Sequence, residues 1–287
     1  MTADGSQVLQ RLLDEYRECG ALLLLFDFDG TLAPIVEHPR LAKLDWGVRR
    51  LLERLSRRPG IHLGILSARR LDDLKAICCL SNVFYAGVCG LEMDFHGTRI
   101  VHPDTRYMSG AIALVRELLD RAIAEYPGAW IEDKQWAITV HYRQVPWERI
   151  AALLSSVDEA LAPVRDLLAL SSGPMAIEIG LQCVWEKSHV VRALAQAFRV
   201  PGRVTLYAGD GDNDREAFRA VDSLGGIALG IGPQSPSNAH YRLPDPASLH
   251  AVLVGLERAL ENPKAGRRRD AEEYLALYGF WKSTTRT

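Results

Sequence analysis

The chain has 287 residues, 48% hydrophobic and 24% charged, with a formal net charge of -2. That balance is ordinary for a soluble globular protein of one large domain or two modest ones, and with no surplus of positive charge neither a nucleic-acid nor a membrane partner is expected. Five cysteines without zinc or redox spacing, Cys78 and Cys79 being adjacent, argue against a disulfide framework and for a reducing, cytoplasmic setting.

The stretch before Ala21 is too charged for a secretory signal, and the apolar run Ala21 to Phe26 is far shorter than the ~20 residues of a membrane span. Val8 to Glu18 sets Leu12, Leu13 and Tyr16 among charges, the pattern of a short amphipathic helix. Leu22 to Leu32 then reads Leu-Leu-Leu-Leu-Phe-Asp-Phe-Asp-Gly-Thr-Leu, a buried parallel strand that stops in two carboxylates and a glycine. Ligands bind at the carboxyl edge of such sheets, so Asp27 and Asp29 are placed to hold a divalent cation while one of them attacks an electrophile. Gly30 permits the bend, and Thr31 offers a hydroxyl and an amide to an anion.

Ala33 to Lys43 reads as a loop, and a helix from about Asp45 carries Val48, Leu51, Leu52 and Leu55 until Pro59-Gly60 stops it. The strand Ile61 to Leu66 ends in Ser67-Ala68-Arg69, where Ser67 is placed to donate to a phosphoryl oxygen, although a serine there is more often a helix cap. Arg69 adds positive charge beside it. Leu71 to Ile77 reads as helix and Val83 to Val88 as a third strand.

From Pro103 the pattern changes. A helix over Tyr107 to Tyr126, strands Trp130 to Asp133 and Trp136 to Tyr142, a helix Trp147 to Leu161, and strands Leu167 to Ser171 and Met175 to Ile179 give the order αββαββ. Hairpins plus helices describe an antiparallel α+β layer, so an inserted domain is expected over 104–179, between core segments 1–103 and 180–287. The parallel pattern resumes with a helix Glu186 to Phe198 and a strand Val204 to Ala208 that runs into Gly209-Asp210-Gly211-Asp212-Asn213-Asp214. A second acidic cluster at the same sheet edge is what a Mg²⁺ site assembled from separate loops requires. Gly225 to Leu229 gives a last strand and Ala247 to Leu260 a helix, before a charged tail in which Arg267-Arg268-Arg269 reads as a solvated helix face.

Four of these segments together resemble the motifs of the haloacid dehalogenase superfamily of phosphatases. Asp27-Phe28-Asp29-Gly30-Thr31 matches the first, Ser67 the second, Lys187 the third, and Gly209-Asp210 with Asp214 the fourth. The resemblance implies an α/β fold with a Rossmann-like parallel-sheet core and an inserted αββαββ cap. It also implies that Asp27 is the nucleophile and Asp29 the acid and base, with Lys187 balancing charge. Asp27, the Asp29 carbonyl, Asp210 and Asp214 are then the expected Mg²⁺ site.

Within that superfamily the first motif, Glu132-Asp133-Lys134, His141-Tyr142-Arg143 and Glu178 look like those of trehalose-6-phosphate phosphatases. The likeness implies sugar contacts from Glu132, Lys134 and Glu178, with Arg143 serving either substrate or fold. His141 reads as a structural histidine. Other positions depart from that family: Cys89 stands where its histidine is usual, Lys187 is followed by Ser188, and the segment 211–216 is closer to general sugar-phosphate phosphatases. The expected reaction is Mg²⁺-dependent hydrolysis of a small sugar phosphate, trehalose-6-phosphate first, by a monomer. The alternatives are another sugar or glycosyl phosphate such as a glycosyl-phosphoglycerate, transfer to a hydroxyl instead of water, or a sugar-phosphate binding module without catalysis.

Overall fold

The computed structural model describes residues 2–173, 175–182 and 185–261; Arg267-Arg268-Arg269 lies outside the described residues. The chain runs α1 (Ala3–Cys19), β1 (Leu22–Phe26), α2 (Trp46–Ser56), β2 (Ile61–Leu66), α3 (Leu71–Cys78), β3 (Phe84–Gly87), β4 (Glu92–Phe95) and β5 (Thr98–Val101). It continues through α4 (Thr105–Ile123), β6 (Trp130–Asp133), β7 (Ala137–His141), α5 (Trp147–Leu161), β8 (Leu168–Gly173) and β9 (Ala176–Leu181). It closes with α6 (Lys187–Ala197), β10 (Thr205–Gly209), α7 (Arg215–Ser223), β11 (Ile227–Ile231), β12 (Tyr241–Leu243) and α8 (Pro246–Leu260).

Two compact units result. One is built from the chain up to Ile100 and again from Trp185, the other from the intervening stretch that begins at Val101. The first unit is organised on β1, whose five apolar residues are all fully buried. Alternate side chains enter opposite layers: Leu22, Leu24 and Phe26 join a core with residues of α1, α2, α3 and α8, while Leu23 and Leu25 join one with α6 and α7. A strand apolar on both faces can be covered only by helices on both sides, which is the doubly wound α/β arrangement. The sheet order is β12-β11-β10-β1-β2-β3-β4-β5. All pairs from β12 to β3 are parallel, and β4 returns antiparallel to β3.

Local chemistry sets the helix ends. Asp45 caps α2 by accepting from Gly47 N at 2.7 Å and Val48 N at 3.3 Å. Asp245 caps α8 through Ser248 N at 2.8 Å, with Pro246 in the first turn where no backbone N–H is needed.

The second unit is a four-stranded antiparallel sheet in the order β6-β7-β9-β8. Ile138, Val140, Ile179 and Leu168 face a separate core with Ile112, Val115 and Leu119 of α4 and Leu153, Val157 and Leu161 of α5. Its first helix starts and stops earlier than the periodicity suggests, at Thr105 and Ile123. The start is fixed where Thr105 Oγ1 donates to the His102 carbonyl at 2.6 Å.

Candidate active site

The apolar run of β1 ends where Asp27 N still donates to the Ala208 carbonyl of β10 at 2.9 Å. The chain then reverses over Phe28, whose carbonyl accepts from Leu32 N and Ala33 N, both at 3.0 Å, while Gly30 N bonds to Ala33 O at 2.7 Å. Gly30 has φ +82°, and a Cβ there would lie 2.0 Å from Asp210 Oδ2. Glycine is therefore required twice, for the left-handed backbone and for the approach of the β10 loop.

Lys187, the first residue of α6, is buried and bridges two carboxylates: its Nζ lies 2.7 Å from Asp27 Oδ1 and 2.7 Å from Asp214 Oδ1. Asp214 is fully buried and also accepts from Tyr207 Oη at 2.6 Å, Asp210 N at 3.0 Å and Gly211 N at 3.2 Å. A carboxylate already holding four donors is an anchor for Lys187 and for the 210–211 backbone. Oxygens of Asp27, Asp210 and Asp214 lie within 4.8 Å of one another.

Three acids around one ammonium leave the site short of positive charge. Burial pushes the Asp27 carboxyl well above its usual range, with Asp214 and Asp210 adding repulsion against the attraction of Lys187. Burial, then Asp214, brings Asp210 up to about 7. Burial acts to lower Lys187, but Asp214 and Asp27 outweigh it and hold the ammonium well above the ordinary lysine value. Hard oxygen donors with uncompensated negative charge are what a divalent cation such as Mg²⁺ takes, so the residues present fit that ion.

Asp29 is not in this group of carboxylates. It faces Arg69 in a bidentate pair, Nε to Oδ2 at 2.6 Å and Nη2 to Oδ1 at 2.7 Å. Arg69 also donates to the Pro39 carbonyl at 3.0 Å, and its guanidinium carbon sits 5.4 Å from the Phe28 ring centroid. Ser67 is buried, and its Oγ accepts from Arg69 N at 3.2 Å. It does not cap α3, whose first turn has no side-chain cap. Thr31 is fully buried and its Oγ1 has no hydrogen-bond partner among the described residues.

Tyr207 was not singled out in the sequence, and around Cys89 the sequence showed the residues but not their backbone. Tyr207 interrupts the apolar residues of β10 and donates to Asp214, a signal available in the position of one phenol two residues before Gly209. The turn Val88-Cys89-Gly90 takes three successive positive φ values, 45°, 55° and 104°. For a β-branched valine that is strained, and hydrogen bonds hold it: Val88 N to Arg69 O at 2.7 Å, Cys89 N to Ser67 O at 2.9 Å, and Trp185 Nε1 to Gly90 O at 3.0 Å. Cys89 thus sits on the turn that bonds the backbone of Ser67 and Arg69.

In the second unit, cross-strand register puts Glu132, Thr139 and Glu178 in one row across β6, β7 and β9. Lys134 is buried, with Nζ 3.1 Å from Glu178 Oε1. His141 Nε2 is 2.8 Å from Glu132 Oε2. Arg143 is exposed, beyond the end of β7.

A family model described as trehalose-phosphatase matches residues 25–247. A trehalose-6-phosphate phosphatase of Escherichia coli is 31% identical over 254 residues, covering 86% of this chain and 91% of its own length. Trehalose-phosphate phosphatase B of Arabidopsis thaliana is 26% identical over 250 residues, covering 82% of this chain and 66% of its own. Among solved structures, the C-terminal domain of a C. albicans trehalose-6-phosphate phosphatase superposes with a TM-score of 0.77 at 22% identity, over 86% of this chain and 96% of that one.

Proposed function

The chain belongs to the trehalose-phosphatase family, whose members are phosphoric monoester hydrolases of the haloacid dehalogenase superfamily, and from that premise we propose that it hydrolyses trehalose-6-phosphate through a phosphorylated Asp27. The observation that carries the mechanism is the Lys187 bridge, 2.7 Å from both Asp27, which follows β1, and Asp214, which precedes α7. A buried ammonium fixed on one carboxylate by another is aimed at the charge that builds when a phosphoryl group arrives.

In the first step an Asp27 oxygen bonds to phosphorus as the bond to the sugar oxygen breaks, and Asp29, which leaves its ion pair with Arg69 and takes up a proton from solvent as substrate binds, delivers that proton to the departing oxygen. In the second, Asp29 receives a proton from water, the water oxygen bonds to phosphorus, and Asp27 is released with inorganic phosphate. Ser67 and Thr31 donate to phosphoryl oxygens, and Arg69, paired with Asp29 before substrate arrives, adds positive charge. Asp27, Asp210 and the Asp29 carbonyl would hold Mg²⁺, with Asp214 positioning them; when bound, the ion supplies charge neutralisation on the phosphoryl oxygens. Glu132, Lys134 and Glu178, with Arg143, are assigned to the sugar, and the unit that begins at Val101 to the role of specificity cap. The cytoplasmic setting is proposed on the cysteine spacing of the sequence, and no helix among the described residues is long and apolar enough to cross a membrane.

Phosphate release with Mg²⁺ over trehalose-6-phosphate, other sugar phosphates and glycosyl-phosphoglycerates tests the assignment. Trehalose-6-phosphate is expected to lead the panel, chelation to stop turnover, and Asp27→Asn to abolish release while substrate still binds. Equal slow rates across the panel would remove trehalose, and a persistently active Asp27→Asn would remove the covalent step.

A further inference from the structure

The polar face of the second unit's sheet carries contacts that phosphate chemistry does not use. Directly paired residues point to the same side of a sheet, so the register Trp130 with His141, and Glu132 with Thr139 and Glu178, places all five on one face. The Trp130 indole stacks on the His141 imidazole, with centroids 4.1 Å apart and planes 12° from parallel. His141 Nε2 lies 2.8 Å from Glu132 Oε2, and because a carboxylate accepts, Nε2 carries the proton and donates. At the other end of the row, Lys134 holds one oxygen of Glu178 at 3.1 Å. Between the two glutamates, Thr139 Oγ1 is buried without a hydrogen-bond partner among the described residues.

We propose that Trp130 and His141 form a two-ring brace that sets the direction of the Glu132 carboxylate, so that His141 is a positioning residue for recognition of the glycosyl part of the substrate, and that Thr139 Oγ1 bonds a sugar hydroxyl between the two glutamates. The inference rests on the sugar-phosphate reading and deepens it. A carboxylate that accepts from a braced imidazole is held in a fixed direction, which is what discrimination between neighbouring hydroxyls needs. With imidazole removed, Glu132 loses a bond that directs its carboxylate, and the cost falls on the sugar and not on the phosphoryl group. Trp130 acts through His141, by denying the ring room to turn.

The test uses the full chain with Mg²⁺ and compares kcat/KM for the sugar phosphate it turns over fastest with kcat/KM for p-nitrophenyl phosphate, which has no sugar. His141→Ala is expected to lower that ratio about tenfold or more, with the loss in KM. His141→Gln, which keeps a donor for Glu132, should recover part of it. Trp130→Ala should resemble His141→Ala, and Trp130→Phe should stay near wild type. Thr139→Val, a swap of similar shape, should lower the same ratio. In a Glu132→Gln background, His141→Ala should add less than about a twofold further loss. Parallel losses on both substrates, additive losses in the double variant, or an unchanged ratio would each overturn the brace. A wild-type chain that prefers no sugar phosphate over p-nitrophenyl phosphate would overturn the sugar-phosphate reading first, and the brace with it.

Discussion

Asp214 shows how much of the site hangs on single side chains. It is fully buried and accepts four hydrogen bonds, two of them from the side chains of Lys187 and Tyr207. Removing the phenol oxygen leaves that carboxylate with three donors in a place water cannot reach. Tyr207→Phe is expected to cost about 1–3 kcal/mol of stability in urea denaturation, the penalty for a buried acceptor deprived of a partner. An unchanged midpoint would mean that Lys187 alone satisfies Oδ1. Residue-level legibility was uneven for a physical reason. Asp27 and Asp210 stand out in sequence because acids at the ends of apolar strands are costly without a task, whereas Lys187, an ordinary lysine at a helix start, stands out only through the family resemblance. The side-chain hydrogen bonds of Lys187 and of Tyr207 depend on which groups converge from distant segments, which the linear order does not contain.

At the scale of elements, the continuous apolar runs of β1, β2, β10 and β11 were legible because a strand buried on both faces has no polar alternation to confuse it. β4, β5 and β12 were not. They are three or four residues long, and β5 alternates half-buried with exposed positions at the sheet edge. α7 was also missed, since in Arg215–Ser223 only Ala217, Phe218, Ala220 and Val221 are buried and the rest is polar. Elements also meet through ions. Glu257 on α8 is nearly buried and takes a two-point contact from Arg54 of α2, to Oε1 through Nε and to Oε2 through Nη2 at 3.0 Å. The hydrogen bond from Arg54 holds its carboxyl below the usual glutamate value. A depressed folded value adds stability that is present above the unfolded value and lost as pH falls through the folded one. Glu257→Gln should therefore destabilise by about 1 kcal/mol near neutral pH, since Arg54 is half exposed and its charge is screened. The gap to wild type should close in acid, and a gap constant with pH would assign the effect to packing.

For the whole molecule, the crowded acids set stability against metal binding. Asp210, raised to about 7 by burial and Asp214, stabilises the metal-free fold while protonated and loses that contribution as pH rises through its folded value. Asp210→Asn is thus expected to melt higher than wild type without metal, with the difference growing between about pH 4 and pH 7 and level above that. Wild type should gain from Mg²⁺, about 2.7 kcal/mol at a hundred times the dissociation constant, and the variant should gain little. A metal-free variant that melts lower than wild type at every pH would contradict this account of the site's charge.

The central strand also has a history in time. Leu23 of β1 lies beside His62 on one side and Thr205 on the other, and the second partner is translated long after the first. At roughly 5–20 residues per second, the ribosome leaves one flank of this leucine-rich strand unpaired for about ten to forty seconds. During that interval the stretch beginning at Val101, which has its own apolar centre, can fold on the nascent chain. The open flank of β1 is then the stretch of this unit most prone to pair with another chain.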